Sequence, residues 1–486
     1  MRNAVVVLAM LILYIETSPP CLCDCFAMPV LVARVAGNAC KARARLFTGM
    51  HIAFATWWNP TRRRRRRPRK KGSAYMSDMY QLYQGYADAM DPWRDTAQTM
   101  SPLFQTDWPG MPRSLSMKQM GALCEVFSRT RLTHIRPPFG IDSVQDGGRT
   151  VMVCEEVVDT TPFCTMLRFR KELPPGTVPQ SRVLIVAPMS GHFATLLRGT
   201  VRTLLRDHDV YITDWHNVRD IDPEHGCFGM DEYVGHLVRF LQTLGPGANL
   251  VAVCQPTVAA LTAVAVMAEA DDPCQPHSMT LMAGPIDTRI NPTAVNALAK
   301  SKPIAWFEKN LISKVPKRFA GGGRRVYPGF MQLAAFMNMN MDRHVGAFRN
   351  LYNELIEDGL AKAEAIKVFY EEYFAMSDLA ADFYLETVGV VFQKHSLPLG
   401  KLTYRGNPID LKAIRRTALF TVEGEKDDIC AVGQTLAAQE LCGSIRPYRR
   451  LHHVQTAVGH YGVFNGRYWN NEIYPLMRDF INMHQR

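Results

Sequence analysis

The chain has 486 residues, 47% hydrophobic and 21% charged, enough for one large domain with insertions or for two domains. Its net charge of +11 is confined: residues 1–75 hold 14 Lys/Arg against 2 Asp/Glu, the remainder 42 against 43. Residues 76–486 are near neutral, which argues against a nucleic-acid-binding body.

In residues 1–75 the run Ala4–Ile15 follows Arg2 and has the length of a signal-peptide apolar region, too short to span a bilayer. No small-x-small cleavage site follows it, and "TRRRRRRPRKKG" reads as a solvated basic block. Two readings stand. Translation starts at Met76 or Met79, since "RKKG" is necessarily encoded by purine-rich codons, as a ribosome-binding site would be. Otherwise the segment is a membrane anchor or export signal with a basic tether.

From 76 to 180 a helical pattern ("YQLYQGYADAM", "MKQMGALCEVFSRT") precedes a hairpin, "RTVMVCEEVVDT" with "FCTMLRFRKE". From 181 to 289 apolar strands alternate with helices, and "RVLIVAP", "DVYITDW", "NLVAVCQ" and "SMTLMAG" are the strands. The pattern resumes at 416–486 with "TALFTVEG" and "LHHVQTA". Such alternation predicts a mostly parallel sheet with helices on both faces. Residues 290–415 interrupt it with helical sequence rich in Met and aromatics, expected to form a cap over the strand ends. Within it, Met331, Met337, Met339 and Met341 either face a substrate surface or pack among themselves.

Four of the 12 cysteines lie in residues 1–75; the other eight show no close CxxC pair and no metal-ligand spacing. No metal is expected. Cys124, Cys154 and Cys164 sit in apolar runs as small hydrophobes, and a body of this size needs no disulfides, which suits the reducing cytoplasm.

Cys254 ends an apolar strand and is followed at once by a helix of small residues, "TVAALTAVAVMAEA". Strand, sharp turn and helix with a nucleophile at the turn make the nucleophile elbow of the α/β-hydrolase fold. Ala252 and Pro256 stand where that motif has glycines. Alanine is small enough for close strand–helix approach, and proline suits the first helical position. The helix N-terminus favours a thiolate. The acid belongs after a later strand, where "TVEGEKDDI" offers Asp427, with Asp428 as the alternative. Asp287 is a further acid, more simply read as a cap or turn residue. The base is His460 in "QTAVGHYGVFNG", expected in a flexible exposed loop between Gly459 and Gly462; His452 and His453, inside the strand, read as structural. The oxyanion hole is expected from the backbone N–H of Gln255 and of Met189 or Ser190, with Gly191 allowing close approach. His192 in the same loop reads as solvated or pocket-lining.

From "MYQLYQGYADAM" to the C-terminus the sequence resembles the intracellular poly(3-hydroxybutyrate) depolymerases of bacteria, most specifically in "VCQPTVAAL", "TLMAGPIDTRINPTAVN", "TVEGEKDDI" and "GHYGVFNGRYW". The resemblance places the catalytic cysteine, aspartate and histidine on Cys254, Asp427 and His460. It implies an α/β-hydrolase fold and a cytoplasmic ester hydrolase acting on polymer granules, without integral membrane association. No cofactor is implied, although coenzyme A is chemically suited to accept the acyl group in place of water. The rivals are a polyhydroxyalkanoate synthase-like acyltransferase and a granule-binding protein without turnover.

Overall fold

The computed structural model describes residues 74–107 and 113–485. The readings on the apolar run and the basic block lie outside the described residues.

Nine strands form the main sheet: β1 (Ser143–Asp146), β2 (Arg149–Thr160), β3 (Cys164–Lys171), β4 (Arg182–Val186), β5 (Asp209–Trp215), β6 (Asn249–Val253), β7 (Ser278–Met282), β8 (Ala418–Gly424) and β9 (Arg450–Gln455). Their order is β1-β2-β3-β5-β4-β6-β7-β8-β9. β1 to β3 run antiparallel, β3 pairs antiparallel with β5, and every pair from β5 to β9 is parallel. With β4 and β5 exchanged and β6 central, this is the α/β-hydrolase fold.

Burial explains the strand compositions. β6 and β7 are buried at every position, so they read as unbroken apolar runs. β2 alternates because one of its faces meets water, and Cys154 lies on that exposed face, not in a core. The expected hairpin ahead of the core is in fact the antiparallel edge of the same sheet, with Cys164 of β3 paired to Trp215 of β5.

The helices are α1 (Ala74–Gln105), α2 (Leu115–Arg129), α3 (Arg198–Leu204), α4 (Met230–Leu244), α5 (Thr257–Glu269), α6 (Ala294–Ser301), α7 (Ile304–Leu311), α8 (Gly329–Met339), α9 (Met341–Ile356), α10 (Leu360–Tyr373), α11 (Ala381–Glu386), α12 (Ala437–Leu441) and α13 (Tyr474–Met483). α6 to α11 lie between β7 and β8 and carry a small sheet of Ser313–Lys314, Arg325–Tyr327 and Leu379–Ala380. They do not stand alone. Tyr83 of α1 stacks on Phe330 of α8 at 4.2 Å, and Arg129 of α2 pairs with Glu371 of α10 at 2.6 Å. N-terminal and inserted helices thus form one layer. It meets the loop after β4, where His192 bridges Met376 and Ser377 Oγ donates to Gly191 O at 3.0 Å.

Met331 and Met337 are only 1% and 3% exposed, so their packing reading holds and a substrate-facing role for them does not. Met339 is exposed and Met341 is half-buried.

A buried carboxylate ties this layer down. Asp378 accepts the Tyr80 hydroxyl at 2.5 Å and the Gly329 N–H at 2.8 Å, while its own N–H donates to Asn217 Oδ1 at 3.0 Å. Burial pushes its pKa up to about 6. The folded state therefore holds this proton more tightly than the unfolded chain, and the contribution to stability falls as pH rises from about 4 to about 6. Asp378→Asn is neutral throughout. Its stability relative to the native protein should rise by on the order of 3 kcal/mol between pH 4 and pH 7, read by paired urea titrations. A pH-independent difference would refute this.

Candidate active site

Cys254 follows the last residue of β6 and adopts φ +67°, a left-handed conformation that costs a side-chain-bearing residue roughly 1–2 kcal/mol. Its N–H donates to Met282 O at 2.7 Å, and its carbonyl accepts from Thr257 N–H at 3.2 Å. Pro256 takes helical angles, φ −66° and ψ −8°, and its carbonyl receives the Ala260 N–H, so α5 begins immediately behind the turn. Gly284 lies against this helix; a Cβ there would fall 1.9 Å from Thr257 Oγ1. Ala252 is fully buried between β4 and β7. The packing around the elbow thus holds the strained turn, and Cys254 is half-buried at its apex.

His460 faces it. Nδ1 of His460 lies 2.7 Å from Asp427 Oδ2, and the Cys254 sulfur is close enough to act on the same ring. The second oxygen of Asp427 accepts the N–H groups of Ile429 and Cys430 at 2.9 and 2.8 Å. That carboxylate is thus fixed by its own turn. Burial alone would lower the His460 pKa, but the adjacent Cys254 sulfur and the hydrogen-bonded Asp427 together hold it well above the ordinary value. The arrangement favours the imidazolium form of His460.

The alternatives separate cleanly. Asp428 is exposed, and Asp427 is the one of the pair that meets the histidine. Asp287 is held by Arg289 at 2.7 Å and takes its backbone N–H as well, so it serves as a turn residue. His452 contacts Thr421 Oγ1 at 2.9 Å, and His453 contacts Gln455 at 2.9 Å. The expectation of an exposed, flexible loop around His460 fails. The histidine is buried in a short 3-10 helix, His460–Val463, and a Cβ on Gly462 would press on Val458 at 2.8 Å. Gly462 serves close packing.

Met189 N–H donates to the Gln255 side-chain oxygen at 3.4 Å, so the loop after β4 and the elbow stand side by side. Ser190 is half-buried next to it, and Gly191 takes φ +107° in contact range of Gln332 and Met376. His192 is not solvated. It is buried between Phe336 and Tyr373, each ring 5.3 Å away, and burial lowers its pKa to about 4. A neutral imidazole in the site wall results.

Two neighbours escaped the sequence reading. Tyr461 is half-buried; burial first, then the Cys254 sulfur, raises its phenol pKa. Cys430 is buried beside Asp427, and burial pushes its thiol up. The "DDIC" and "GHYG" contexts held both residues, but nothing in their spacing signalled proximity to Cys254.

Residues 283–485 match the family model described as PHB de-polymerase C-terminus. Over that region the chain is similar to the PHB depolymerase family. The match spans Asp427 and His460 and begins after Cys254. The match supports a carboxylic-ester hydrolase. No curated protein matches the chain. Among solved structures it is similar to naproxen esterase (carboxylesterase NP) from Bacillus subtilis, with 14% identity, 76% of this chain and 98% of that one covered, and a TM-score of 0.36. It is also similar to 2-hydroxy-6-oxo-6-phenylhexa-2,4-dienoate hydrolase from Rhodococcus sp. strain RHA1, with 13% identity, coverage of 68% and 99%, and a TM-score of 0.36.

Among the described residues, no helix is long and apolar enough to cross a membrane, and no cluster of three or more His, Cys, Asp or Glu is placed to hold a metal.

Proposed function

We propose that this protein cleaves the ester bonds of poly(3-hydroxybutyrate) granules in the cytoplasm, with Cys254 as nucleophile, His460 as base and acid, and Asp427 as its orienting carboxylate. The observation that carries the reading is the strained elbow cysteine beside a buried histidine whose Nδ1 is held at 2.7 Å by a carboxylate. The Cys254 thiolate attacks the ester carbonyl, and the resulting oxyanion is met by the N–H groups of Gln255 and of Met189 or Ser190. Collapse breaks the C–O bond, and the imidazolium of His460 gives its proton to the leaving alkoxide. The acyl group is then a thioester on Cys254. His460 takes a proton from water, whose oxygen attacks that thioester, releasing a carboxylic acid, which ionises in solution, and restoring the thiolate–imidazolium pair. The eight cysteines of the described residues are all free, as suits a reducing compartment.

Incubation of the full chain with amorphous poly(3-hydroxybutyrate), with and without coenzyme A, tests the reading by product identification. Soluble 3-hydroxybutyrate or its oligomers are expected without coenzyme A. Acyl-coenzyme A formed in place of free acid would make a thiol the acceptor, and chain elongation from an acyl-thioester would overturn the hydrolytic assignment.

A further inference from the structure

On α1, Leu82, Trp93 and Met100 recur at intervals of three and two helical turns, so they project from one side of the helix over about 27 Å. This is not the side packed inward by Tyr80, Tyr83 and Arg94. Leu82 and Trp93 are each 69% exposed, and Met100 is exposed as well. Gly85, Ala89 and Thr96, all uncharged and exposed, fill the intervals between them. A large tryptophan and a leucine held in water on the outside of a helix are an unfavourable arrangement unless something covers them.

The charges around this stripe narrow the choice of what covers it. The one cation of α1, Arg94, is 2% exposed. Asp88 and Asp95 lie on the flank away from the stripe and are engaged elsewhere, with Arg318 at 2.6 Å and with Arg131 at 2.7 Å. The exposed face of α1 itself therefore offers an anionic phospholipid surface no cation, and any such attraction would come from the basic block ahead of it in sequence and not from the stripe. The side chains of the stripe expose only a few hundred Å², below the roughly 800 Å² per partner of a standard protein interface. A neutral, apolar and extended surface asks for neither charge nor a large matched area.

We propose that this face of α1 docks the enzyme on the surface of its polyester substrate. The proposal rests on the polymer reading given above and assigns the contact to a place outside the active site. Its inner face connects it to that site: Tyr80 and Tyr83 pack on Phe330 of α8, and the same helix carries Phe336 against His192. Docking through α1 would set the helical layer that walls the site directly against the polymer.

The test is the full chain carrying Leu82→Ser, Trp93→Ser and Met100→Ser together, compared with the native protein. Sedimentation with amorphous poly(3-hydroxybutyrate) particles should show adsorption weakened tenfold or more. Hydrolysis of a soluble 3-hydroxybutyrate dimer ester should stay within twofold, because none of the three residues approaches Cys254. Undiminished adsorption would overturn the proposal while leaving the depolymerase reading intact. Two other results would also overturn it: a native dimer that dissociates in the triple variant, or binding to phosphatidylglycerol vesicles that is stronger than to particles and is lost in the triple variant. A native protein that releases nothing from the polymer would instead remove the substrate reading, and that failure shows before any variant is made.

Discussion

Cys254→Ala should abolish polymer hydrolysis, with the residual rate at least 10⁴-fold below the native one, while the protein stays folded. Removing the sulfur removes the bond-forming atom, and His460 alone has no route to the thioester. Folding should survive because alanine fits the same elbow, whose Met282 and Thr257 hydrogen bonds use only the backbone of residue 254. Cys254→Ser should recover little, since the hydroxyl is a far weaker acid than the thiol that His460 is placed to ionise. Cys254→Gly adds a second readout. At φ +67° glycine pays none of the left-handed cost, so this inactive variant should be more stable than Cys254→Ala by about 1 kcal/mol. Intact-mass measurement after brief mixing of native enzyme with substrate should place one acyl group on Cys254. An acyl group on another residue, or turnover by Cys254→Ala, would sink the assignment.

The fold was legible where burial dictates composition. β6 and β7 are covered on both faces, so only apolar residues serve there and their runs declare the parallel sheet. The elbow was legible because the break from strand to helix at Cys254 is abrupt, and the order of Cys254, Asp427 and His460 follows from which strand each one terminates. What the sequence hides is how separate segments pack. Nothing local tells that β2 and β3 extend the main sheet, because an antiparallel pair alternates in the same way whether it stands alone or joins an edge. Nothing local tells that α1 and α2 pack against the inserted helices, since Tyr83 meets Phe330 across the whole core sequence.

The errors around the site share one cause. Glycines beside His460 suggested mobility, yet Gly462 is small because Val458 presses on it. His192 lies in a loop of small and polar residues, but Phe336 and Tyr373 from the helical layer close over it. Met331 and Met337 looked available for substrate because methionine suits irregular surfaces, and it suits irregular cores equally well. In each case a residue type compatible with exposure was buried by a segment distant in sequence.

Asp427→Asn should lower kcat by about 10²- to 10³-fold with little change in stability, and Asp428→Asn should leave kcat within twofold. The geometry at Asp427 explains the size of the effect. Its Oδ1 accepts two backbone N–H groups, from Ile429 and Cys430, so an asparagine will keep its carbonyl oxygen there and turn its amide nitrogen toward His460. That nitrogen is a donor, and it now faces Nδ1, which must become an acceptor. The imidazole then carries its proton on Nε2, the side toward Cys254, and has no lone pair to receive the thiol proton. The negative charge that helps raise the His460 pKa is lost as well, so the titration of its ring proton, followed by NMR, should move to lower pH. The loss is smaller than the roughly 10⁴-fold seen when the acid of a serine triad is replaced in this way, because a thiol ionises more readily than a hydroxyl. Asp428 is exposed, and its carboxylate can be neutralised without disturbing the hydrogen bond that Asp427 makes to the ring. Equal losses in the two variants, or an unmoved His460 titration in Asp427→Asn, would mean that the carboxylate does not orient the base.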